Sequence, residues 1–370
     1  MDIKDLFLAL SFAIKFYSEK ILIKKLYSSH ENFLEIFTSN KNHLKPEITS
    51  EQHEKLNRLK SEIKKTIIEE LKNLLEEKGI KFVAFCEESY PVKLKEMSDA
   101  PPVIFYKGNL SNLNNLKHVA IVGTRSATNY GINITKRISS LLSEQNIVVV
   151  SGLASGIDTS AHLGIVKSGK ATAVVGTGVD YVFPAENKQL AKDIISNGGL
   201  ILSEYIPGTE AMPWNFPQRN RIISALSDAV IVIEGDLQSG ALITARFAIK
   251  QDKPLFALPG PIDSPASNGP NILIKSKVAE LLTSVDDILE KIGESRQIKL
   301  DLENNDEKLN NLSEREKHIY KLLSSVSKSF EILIEEVNIP VQELLKHLSM
   351  LELKGFVEKT QDGRYSQLLT

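Results

Sequence analysis

Short apolar runs alternate with amphipathic stretches through the middle of the 370-residue chain. The runs are three to five residues long and rich in Val, Ile, Leu and Ala, which is typical of strands buried on both faces of a parallel sheet. The predicted strands are His118–Val122, Ile147–Val150, Ala171–Val175, Leu200–Leu202, Ala229–Ile233 and Leu255–Ala257. Most are followed by a helical pattern. Repeated βα units of this kind predict an α/β domain whose parallel sheet is covered by helices on both faces.

The first 78 residues have helical spacing instead. Six apolar residues recur three and four positions apart and predict one long helix over Ser50–Lys78: Leu56, Leu59, Ile63, Ile67, Leu71 and Leu74. We interpret 1–78 as a small helical module and 79–292 as the α/β domain. Two short strands, Lys81–Cys86 and Val103–Tyr106, are predicted at the beginning of that domain.

The C-terminal 59 residues are predicted to form a unit of their own. The preceding run, 293–311, is charged, rich in amide side chains and free of aromatic residues, which indicates a flexible linker. A capping box at Ser313–Glu316 begins one helix, and helices over Phe330–Val337 and from Pro340 to Leu353 precede a hairpin. Three helices and a hairpin predict a winged helix over 312–370. Its third helix offers few basic residues, so duplex binding there stays an open alternative.

Glycine-containing turns follow several predicted strands, at Gly123, Gly152, Gly176 and Gly235. Ligands of parallel sheets bind beyond the carboxyl ends of the strands. The stretch Ser151–His162 combines two glycines, four residues apart, with the start of a helix, an arrangement suited to binding phosphate through backbone N–H groups. The alternative is a purely structural turn. In the stretch Ser151–His162, Asp158 and His162 lie four residues apart, and we interpret them as a structural hydrogen-bonded pair.

Arginine residues accompany two of these strand ends. Arg125 follows Gly123-Thr124 and can hold a phosphate through two parallel hydrogen bonds, or it can pair with a carboxylate. Arg219 and Arg221 are predicted at a helix start, where positive charge opposes the helix dipole unless an anion binds. Nucleic-acid bases stack on aromatic side chains such as the nearby Trp214 and Phe216, but we interpret these two rings as packing the long loop.

Charge and cysteine content narrow the function. The formal net charge of −2 excludes a uniformly basic protein, so a polyanion would have to meet a local basic patch. The single cysteine, Cys86, excludes an internal disulfide and a thiolate metal cluster. The charged start Met1–Asp5 does not resemble a secretory signal, and no long apolar stretch occurs. We therefore expect a cytoplasmic protein that needs no metal or cofactor.

The motifs resemble those of the DprA/Smf family of DNA-processing proteins. The similar segments lie in order over residues 82–292 and include GTRSATNYG at Gly123–Gly131, SGLASGIDTSAH at Ser151–His162, GTGVDYVFPAEN at Gly176–Asn187, SEYIPGTEAMPWNFPQRNRIISALS at Ser203–Ser227 and SGALITARFA at Ser239–Ala248. The C-terminal segment Leu351–Lys359 also looks like the family's winged helix.

The resemblance implies an extended Rossmann-like fold and a non-enzymatic function. Proteins of the family bind single-stranded DNA in natural transformation (competence), protect incoming DNA and load RecA recombinase for recombination. The resemblance also implies a homodimer that forms through the α/β domain. Carried over residue by residue, the phosphate contacts fall on Gly123, Thr124, Arg125, Gly152, Lys170, Arg219 and Arg221.

Two segments bear on assembly and on the N-terminal module. The helix that ends the α/β domain has an apolar stripe, which we interpret as a dimer contact, although it can also pack on its own sheet: Val285, Ile288, Leu289 and Ile292. The N-terminal module is SAM-like, but residues 11–20 lack the glycine of the helix-hairpin-helix turn that is common in the family. That absence argues against direct DNA contact by residues 1–78.

The alternative function is enzymatic. The same fold resembles phosphoribohydrolases that cleave nucleotides and carry a PGGxGTxxE motif. This chain has SGALITARF there, with Arg246 near the position of the acidic residue, which argues against that activity. Glu234, beside Gly235, is the best single carboxylate for a hydrolase. A dinucleotide oxidoreductase would need a GxGxxG turn, which the chain does not have.

Overall fold

A nine-stranded sheet lies at the centre of residues 1–296, one of the two units into which the chain divides; the other is 297–370. The computed structural model describes residues 2–14, 17–29, 33–38, 49–294, 312–323, 328–337, 339–359 and 363–367. The strands are β1 Lys81–Ala84, β2 Val103–Gly108, β3 His118–Val122, β4 Val148–Ser151, β5 Ala171–Val174, β6 Leu200–Ser203, β7 Ala229–Val232, β8 Leu255–Ala257 and β9 Glu280–Leu281.

The sheet has the strand order β1-β2-β6-β5-β4-β3-β7-β8-β9. Strands β3 to β9 are parallel to one another, while β2 pairs antiparallel with both β6 and β1 at one edge. The central strands are buried along their whole length, as a sheet covered on both faces requires. The predicted α/β, extended Rossmann-like fold is confirmed.

Helices connect the strands and cover the sheet. They are α6 Val92–Lys95, α7 Asn112–Asn115, α8 Asn129–Glu144, α9 Ile157–Leu163, α10 Lys188–Ser196, α11 Asn215–Leu226, α12 Gly240–Lys250, α13 Asn268–Lys275 and α14 Val285–Lys291. The strand order reverses at β3, because β4, β5 and β6 follow on one side and β7, β8 and β9 on the other. A reversal of this kind leaves a crevice between the loops after β3 and β7, which is where such sheets bind ligands.

Five helices precede the sheet: α1 Ile3–Ala13, α2 Tyr17–Ser29, α3 Phe33–Thr38, α4 Ser50–Glu62 and α5 Lys65–Glu77. The single long helix that the sequence predicted over Ser50–Lys78 is wrong, because the backbone is extended at Ile63 and Lys64. Both shorter helices bury apolar residues in the same core, so the three-and-four spacing continues across the break. Spacing alone therefore did not reveal the interruption.

The N-terminal helices share the hydrophobic core of the sheet. Polar contacts reinforce this packing: Lys20 of α2 forms an ion pair with Glu204, which directly follows β6. The Lys24 ammonium group donates to the carbonyl oxygens of Lys95 and Met97 at 2.6 and 2.5 Å, at the end of α6. The sheet is thus packed against these helices over a continuous interface.

The apolar stripe of α14 is not a dimer contact. Ile288, Leu289 and Ile292 are buried in the core of the same unit, and Val285 packs against that core. The alternative, that the stripe packs on its own domain, is what the structure shows. No helix among the described residues is both long and apolar enough to cross a bilayer.

The C-terminal unit consists of α15 Glu314–Leu322, α16 Phe330–Val337, α17 Val341–Leu353, β10 Val357–Lys359 and β11 Tyr365–Gln367. The two strands pair antiparallel. The predicted capping box is present, since the Ser313 hydroxyl accepts from the Glu316 amide and the Glu316 carboxylate accepts from the Ser313 amide. Leu333, Leu344 and Leu348 lie at the centre of its core. The predicted winged helix is confirmed; the linker predicted over 293–311 falls almost entirely outside the described residues.

Candidate nucleic-acid interface

A pocket of about 660 Å³ opens at the carboxyl edge of the sheet, beside the point where the strand order reverses. Its walls come from the loops after β3, β4, β5, β6 and β7 and from the N-terminal turns of α11 and α12. Among the lining residues are Thr124, Arg125, Phe216, Arg219 and Asp236. The position is the one expected for ligands of open parallel sheets.

Arg125 projects from the loop after β3 and is exposed. Its guanidinium carbon lies 5.4 Å from the centroid of the Phe216 ring, a cation–π contact. No carboxylate pairs with Arg125 within the part of the chain that the structure describes. The alternative of an ion pair across the sheet is therefore not seen, and the charge of Arg125 is available to a ligand.

Arg219 lies on the floor of the pocket, and only 4% of it is exposed. Its Nη1 donates to the carbonyl oxygen of Gly152 at 2.7 Å and also to that of Val174. Burial lowers the pKa of Arg219 to about 10, with a further contribution from the charge of Arg125, while Asp158 acts in the opposite direction. The guanidinium stays protonated at neutral pH. Two cations therefore face one pocket, which favours an anionic ligand.

The first turn of α11 corrects one prediction. The helix begins at Asn215 rather than at the arginines, so Arg219 and Arg221 lie in its second turn. Pro217 is tolerated because the first turn of a helix makes no use of backbone N–H groups. The argument that these arginines oppose the helix dipole at the N-terminus is therefore wrong.

The glycine turn after β4 is closed on itself. The amides of Gly152 and Ala154 donate to Oδ2 of Asp158 at 3.1 and 3.4 Å, so they are not free for a phosphate. Burial raises the pKa of Asp158, although Arg219 acts against that shift. A Cβ at Gly152 would lie 2.5 Å from Nη2 of Arg219, so this glycine is required by internal packing. The amides of Gly152 and Ala154 are therefore not available to the phosphate cradle predicted at 151–162.

The loop after β3 is also held from inside. The Thr124 amide donates to the carbonyl oxygen of Glu234 at 2.7 Å. A Cβ at Gly123 would lie 2.4 Å from the Ile157 side chain, so this glycine allows α9 to pack closely. Gly123 and Thr124 line the pocket wall, but the Thr124 amide is already bonded. In this loop only the Arg125 side chain offers positive charge.

Two residues that the resemblance placed in the site lie elsewhere. Arg221 is buried and forms ion pairs with Glu204 and Asp99, each at 2.6 Å. Lys170 directly precedes β5 at the amino end of the strand, the opposite edge of the sheet, and donates to the carbonyl oxygen of Ser143 at 2.9 Å. The structure does not bring either cation into the pocket.

Trp214 and Phe216 are not placed as the sequence interpretation, that both rings pack the long loop, expected. Trp214 is 64% exposed, so its ring does not pack the long loop. The Phe216 ring lines the pocket with Phe183, which the sequence analysis did not single out, and their centroids are 5.7 Å apart. The one signal for Phe183 was its place in the segment GTGVDYVFPAEN, at a strand end.

Asp158 and His162 do not form the expected pair. Asp158 accepts from backbone amides, and neither ring nitrogen of His162 has a hydrogen-bond partner among the described residues. Burial, together with the nearby charge of Arg219, lowers the pKa of His162 to about 3. His162 is therefore neutral at physiological pH and takes no visible part in ligand binding.

Comparisons with known families match two segments. The model of DNA recombination-mediator protein A matches residues 81–293, and the model of the DprA winged helix domain matches residues 304–363. The chain is 40% identical over 219 residues to DNA processing protein DprA of Bacillus subtilis. The aligned region covers 59% of this chain and 73% of the relative. Identity to DprA of Streptococcus pneumoniae is 44% over 212 residues, or 56% and 74% of the two chains.

Solved structures agree with these matches. The X-ray structure of DprA from Streptococcus pneumoniae is 34% identical, has a TM-score of 0.63, and covers 78% of this chain and 98% of that one. A second solved structure, of DNA processing protein A from Helicobacter pylori, was described for its single-stranded DNA binding mode. Its sequence is 30% identical to this chain, and the TM-score is 0.52. It covers 58% of this chain and 95% of that chain.

Proposed function

The chain belongs to the DprA/Smf family, and on that premise we propose that it binds single-stranded DNA in the pocket at the carboxyl edge of the sheet. The observation that carries the proposal is Arg125, which is exposed and has no carboxylate partner among the described residues. It lies over Phe216 and near the buried charge of Arg219. Guanidinium beside aromatic rings suits a strand whose phosphates and base faces are both accessible.

The same geometry favours a single strand over a duplex. The Phe183 and Phe216 rings, with the exposed Trp214 ring nearby in the chain, offer flat apolar surfaces for base stacking. A duplex hides its base faces, so it can use the cations but not these rings. Asp236 is a carboxylate on the pocket wall, and its Oδ1 accepts from the Leu237 amide at 2.8 Å and from the Asn268 side chain at 3.2 Å.

A salt-titrated binding experiment tests the proposal. We expect fluorescence anisotropy with a labelled oligothymidylate to give tight binding at low salt that weakens steadily as salt rises, because released counterions drive the association. The same strand annealed to its complement is expected to bind more weakly. Equal affinity for both forms, or no binding at low salt, contradicts the proposal. Release of free base from nucleoside monophosphates without DNA binding would support the phosphoribohydrolase alternative.

We propose further that the protein acts in natural transformation, in the cytoplasm, by protecting DNA and loading RecA recombinase. The support is membership of the family and the absence of an enzyme-like acidic motif in SGALITARF. RecA-dependent ATP hydrolysis on DNA covered with single-strand-binding protein measures this activity. We expect the protein to shorten the lag before hydrolysis. An unchanged lag contradicts RecA loading without affecting the DNA-binding proposal.

A homodimer remains part of the proposal, on a different surface from α14. Strand β9 is the last strand of the sheet, and Leu281 on it is exposed, as are Val278 and Ile272 close by in the chain. An exposed sheet edge with apolar side chains is a ready surface for pairing with a second copy. Sedimentation of the wild type and of Leu281→Asp tests it. We expect the wild type to sediment as a dimer and Leu281→Asp to sediment as a monomer. If both proteins are monomers at micromolar concentration, the proposed dimer is contradicted.

A further inference from the structure

Glu234 is a buried carboxylate that the proposed function does not use. It lies just beyond β7, in contact with the loop 123–128, and is 5% exposed. The sequence marked it as the carboxylate that a hydrolase would need. In the structure both of its carboxylate oxygens are engaged: Oε2 accepts from the Thr128 amide at 2.9 Å, and Oε1 accepts from the Thr128 hydroxyl.

The same residue holds the other end of the loop. The carbonyl oxygen of Glu234 accepts from the Thr124 amide at 2.7 Å. Glu234 therefore binds the loop at Thr124 through its backbone and at Thr128 through its side chain, and Arg125 lies between these two points. Thr128 is also the N-cap of α8, since its hydroxyl accepts from the Gly131 amide at 3.1 Å. The Thr128 side chain thus connects the end of the loop 123–128 to the start of α8.

Gly131 allows this approach. A Cβ at that position would lie 2.4 Å from the carboxyl carbon and from Oε2 of Glu234. Glycine in the first turn of a helix is unfavourable for helix stability, so its presence here indicates that the close contact is needed. Glu234 does not line the pocket, but its negative charge lies against the loop 123–128, which does, and there it disfavours binding of a polyanion. Its geometric contribution has to outweigh that electrostatic cost.

We propose that Glu234 is a positioning residue for DNA binding, which sets the loop 123–128 so that the Arg125 guanidinium faces the pocket beside Phe216. This inference rests on the proposed function. Glu234 acts through the loop and makes no contact with the DNA. The proposal gives a direction opposite to that of simple electrostatics, because removing the carboxylate charge weakens binding instead of strengthening it.

Glu234→Gln tests the direction. The amide keeps the size of the side chain, and it can still accept from the Thr128 N–H and donate to the Thr128 hydroxyl oxygen. Both hydrogen bonds then lack the charge of the carboxylate and are weaker, so the loop is held less firmly. We expect the affinity for oligothymidylate to fall about threefold to tenfold. The matched control is Asp263→Asn, which removes an exposed carboxylate that does not line the pocket and lies outside the loop 123–128. We expect it to bind equally or more tightly.

A double-mutant cycle tests the route. If Glu234 acts by placing Arg125, the double variant Arg125→Ala with Glu234→Gln binds no more weakly than Arg125→Ala alone. Gly131→Ala is the second variant: it displaces the carboxylate but keeps its charge, and we expect weaker binding. If Glu234→Gln folds poorly, Gly131→Ala still tests whether displacing the Glu234 carboxylate weakens DNA binding. Additive losses, or tighter binding by Glu234→Gln, overturn the inference.

The outcomes separate the two proposals. A wild-type protein that fails to bind single-stranded DNA at low salt overturns the proposed function itself. A wild type that binds, with Glu234→Gln binding equally or more tightly, overturns only the role of Glu234.

Discussion

The loops that follow the adjacent strands β3 and β4 have similar sequences and different structures. Both begin with a glycine within two residues of a buried strand and both are rich in hydroxyl residues. In the loop 123–128 the amides of Thr124 and Thr128 donate to Glu234, more than a hundred positions along the chain, and the Ser126 amide donates to the Thr124 hydroxyl oxygen at 3.2 Å. In the loop 151–158 the amides of Gly152 and Ala154 donate to Asp158, within the same segment, and the Ile157 amide donates to the carbonyl oxygen of Thr124 at 3.2 Å. We call the loop 151–158 the closed loop, because its carboxylate acceptor lies within it. We call the loop 123–128 the open loop, because its carboxylate acceptor lies beyond the neighbouring strand β7 and its Arg125 side chain is exposed.

This difference determines what each loop presents. The loop 123–128 is held at its ends and leaves Arg125 exposed over Phe216. The loop 151–158 folds around the Asp158 carboxylate, and its Gly152 carbonyl oxygen accepts a hydrogen bond from the buried Arg219. Glycine after a strand therefore does not by itself imply free amides, because the location of the nearest acceptor decides whether they are available. The closed loop contributes to stability, and the open loop contributes a charge.

The largest expected effect comes from opening the closed loop. Asp158→Ala removes the acceptor of two amides and leaves the buried charge of Arg219 without the carboxylate charge that offsets it, so we expect the free energy of unfolding to fall by about 3–5 kcal/mol. Urea denaturation measures it. The control Asp263→Ala, at an exposed position, is expected to change stability by less than about 0.5 kcal/mol. A loss no greater for Asp158→Ala than for the control contradicts this account.

The second effect concerns the open loop and appears in binding, not in stability. Arg125→Ala removes an exposed cation, so we expect affinity for single-stranded DNA to fall about tenfold and the slope of log K against log salt to flatten by about 0.7. The unfolding free energy should change by less than about 0.5 kcal/mol. Arg125→Lys is expected to recover part of the affinity, because the charge remains and the planar fork is lost.

The control for that experiment is Lys170→Ala. Lys170 lies at the amino edge of the sheet and donates to a backbone carbonyl, so we expect neither the affinity nor the salt slope to change. A slope that flattens with Lys170→Ala and not with Arg125→Ala would place the DNA at the opposite edge of the sheet.

The smallest effect is a pH dependence in the region of the closed loop. The pKa of His162 is about 3 in the fold, against an ordinary value of 6.5, because burial and Arg219 disfavour its charge. The unfolded chain therefore binds the proton first, and stability that is complete above pH 6.5 is lost as pH falls toward 3. We expect His162 to contribute a loss of about 1 kcal/mol between pH 7 and pH 5.5.

Denaturation at the two pH values measures this loss. His118 is also buried with a pKa of about 3, so the wild type should lose stability through both histidines. His162→Gln is expected to remove one of the two contributions and leave a shallower dependence. An identical dependence in the variant would show that His162 is not neutral in the fold or not buried as described.

Much of the fold was predictable because its signals are local. The strand His118–Val122 has the predicted bounds, since continuous burial on both faces demands an uninterrupted apolar run. The helix break at Ile63–Lys64 was not predictable from spacing, because α4 and α5 bury the same side in one core. The exposure of Trp214 was also missed, since an apolar ring in a long loop gives no sign of which side it faces.

The candidate site was predictable only in part. The sequence indicated the carboxyl edge of the sheet and Arg125, which the structure places in the pocket wall. It grouped Arg219 with Arg221 because they are close in the chain. Residues two apart on a helix point about 200° away from each other, so one faces the pocket and the other the ion pairs of Glu204 and Asp99.

The sequence by itself determined the βα order, the parallel sheet, the winged helix and the family, because apolar periodicity and contiguous motifs are properties of neighbouring residues. Only the tertiary structure decided which backbone amides are free, which arginine is exposed and which carboxylate holds each loop. Those properties depend on pairs such as Thr128 and Glu234, which lie 106 positions apart and meet only because β3 and β7 are neighbours in the sheet. Hydrogen bonds and ion pairs act over a few ångströms of space, and spacing along the chain does not record them.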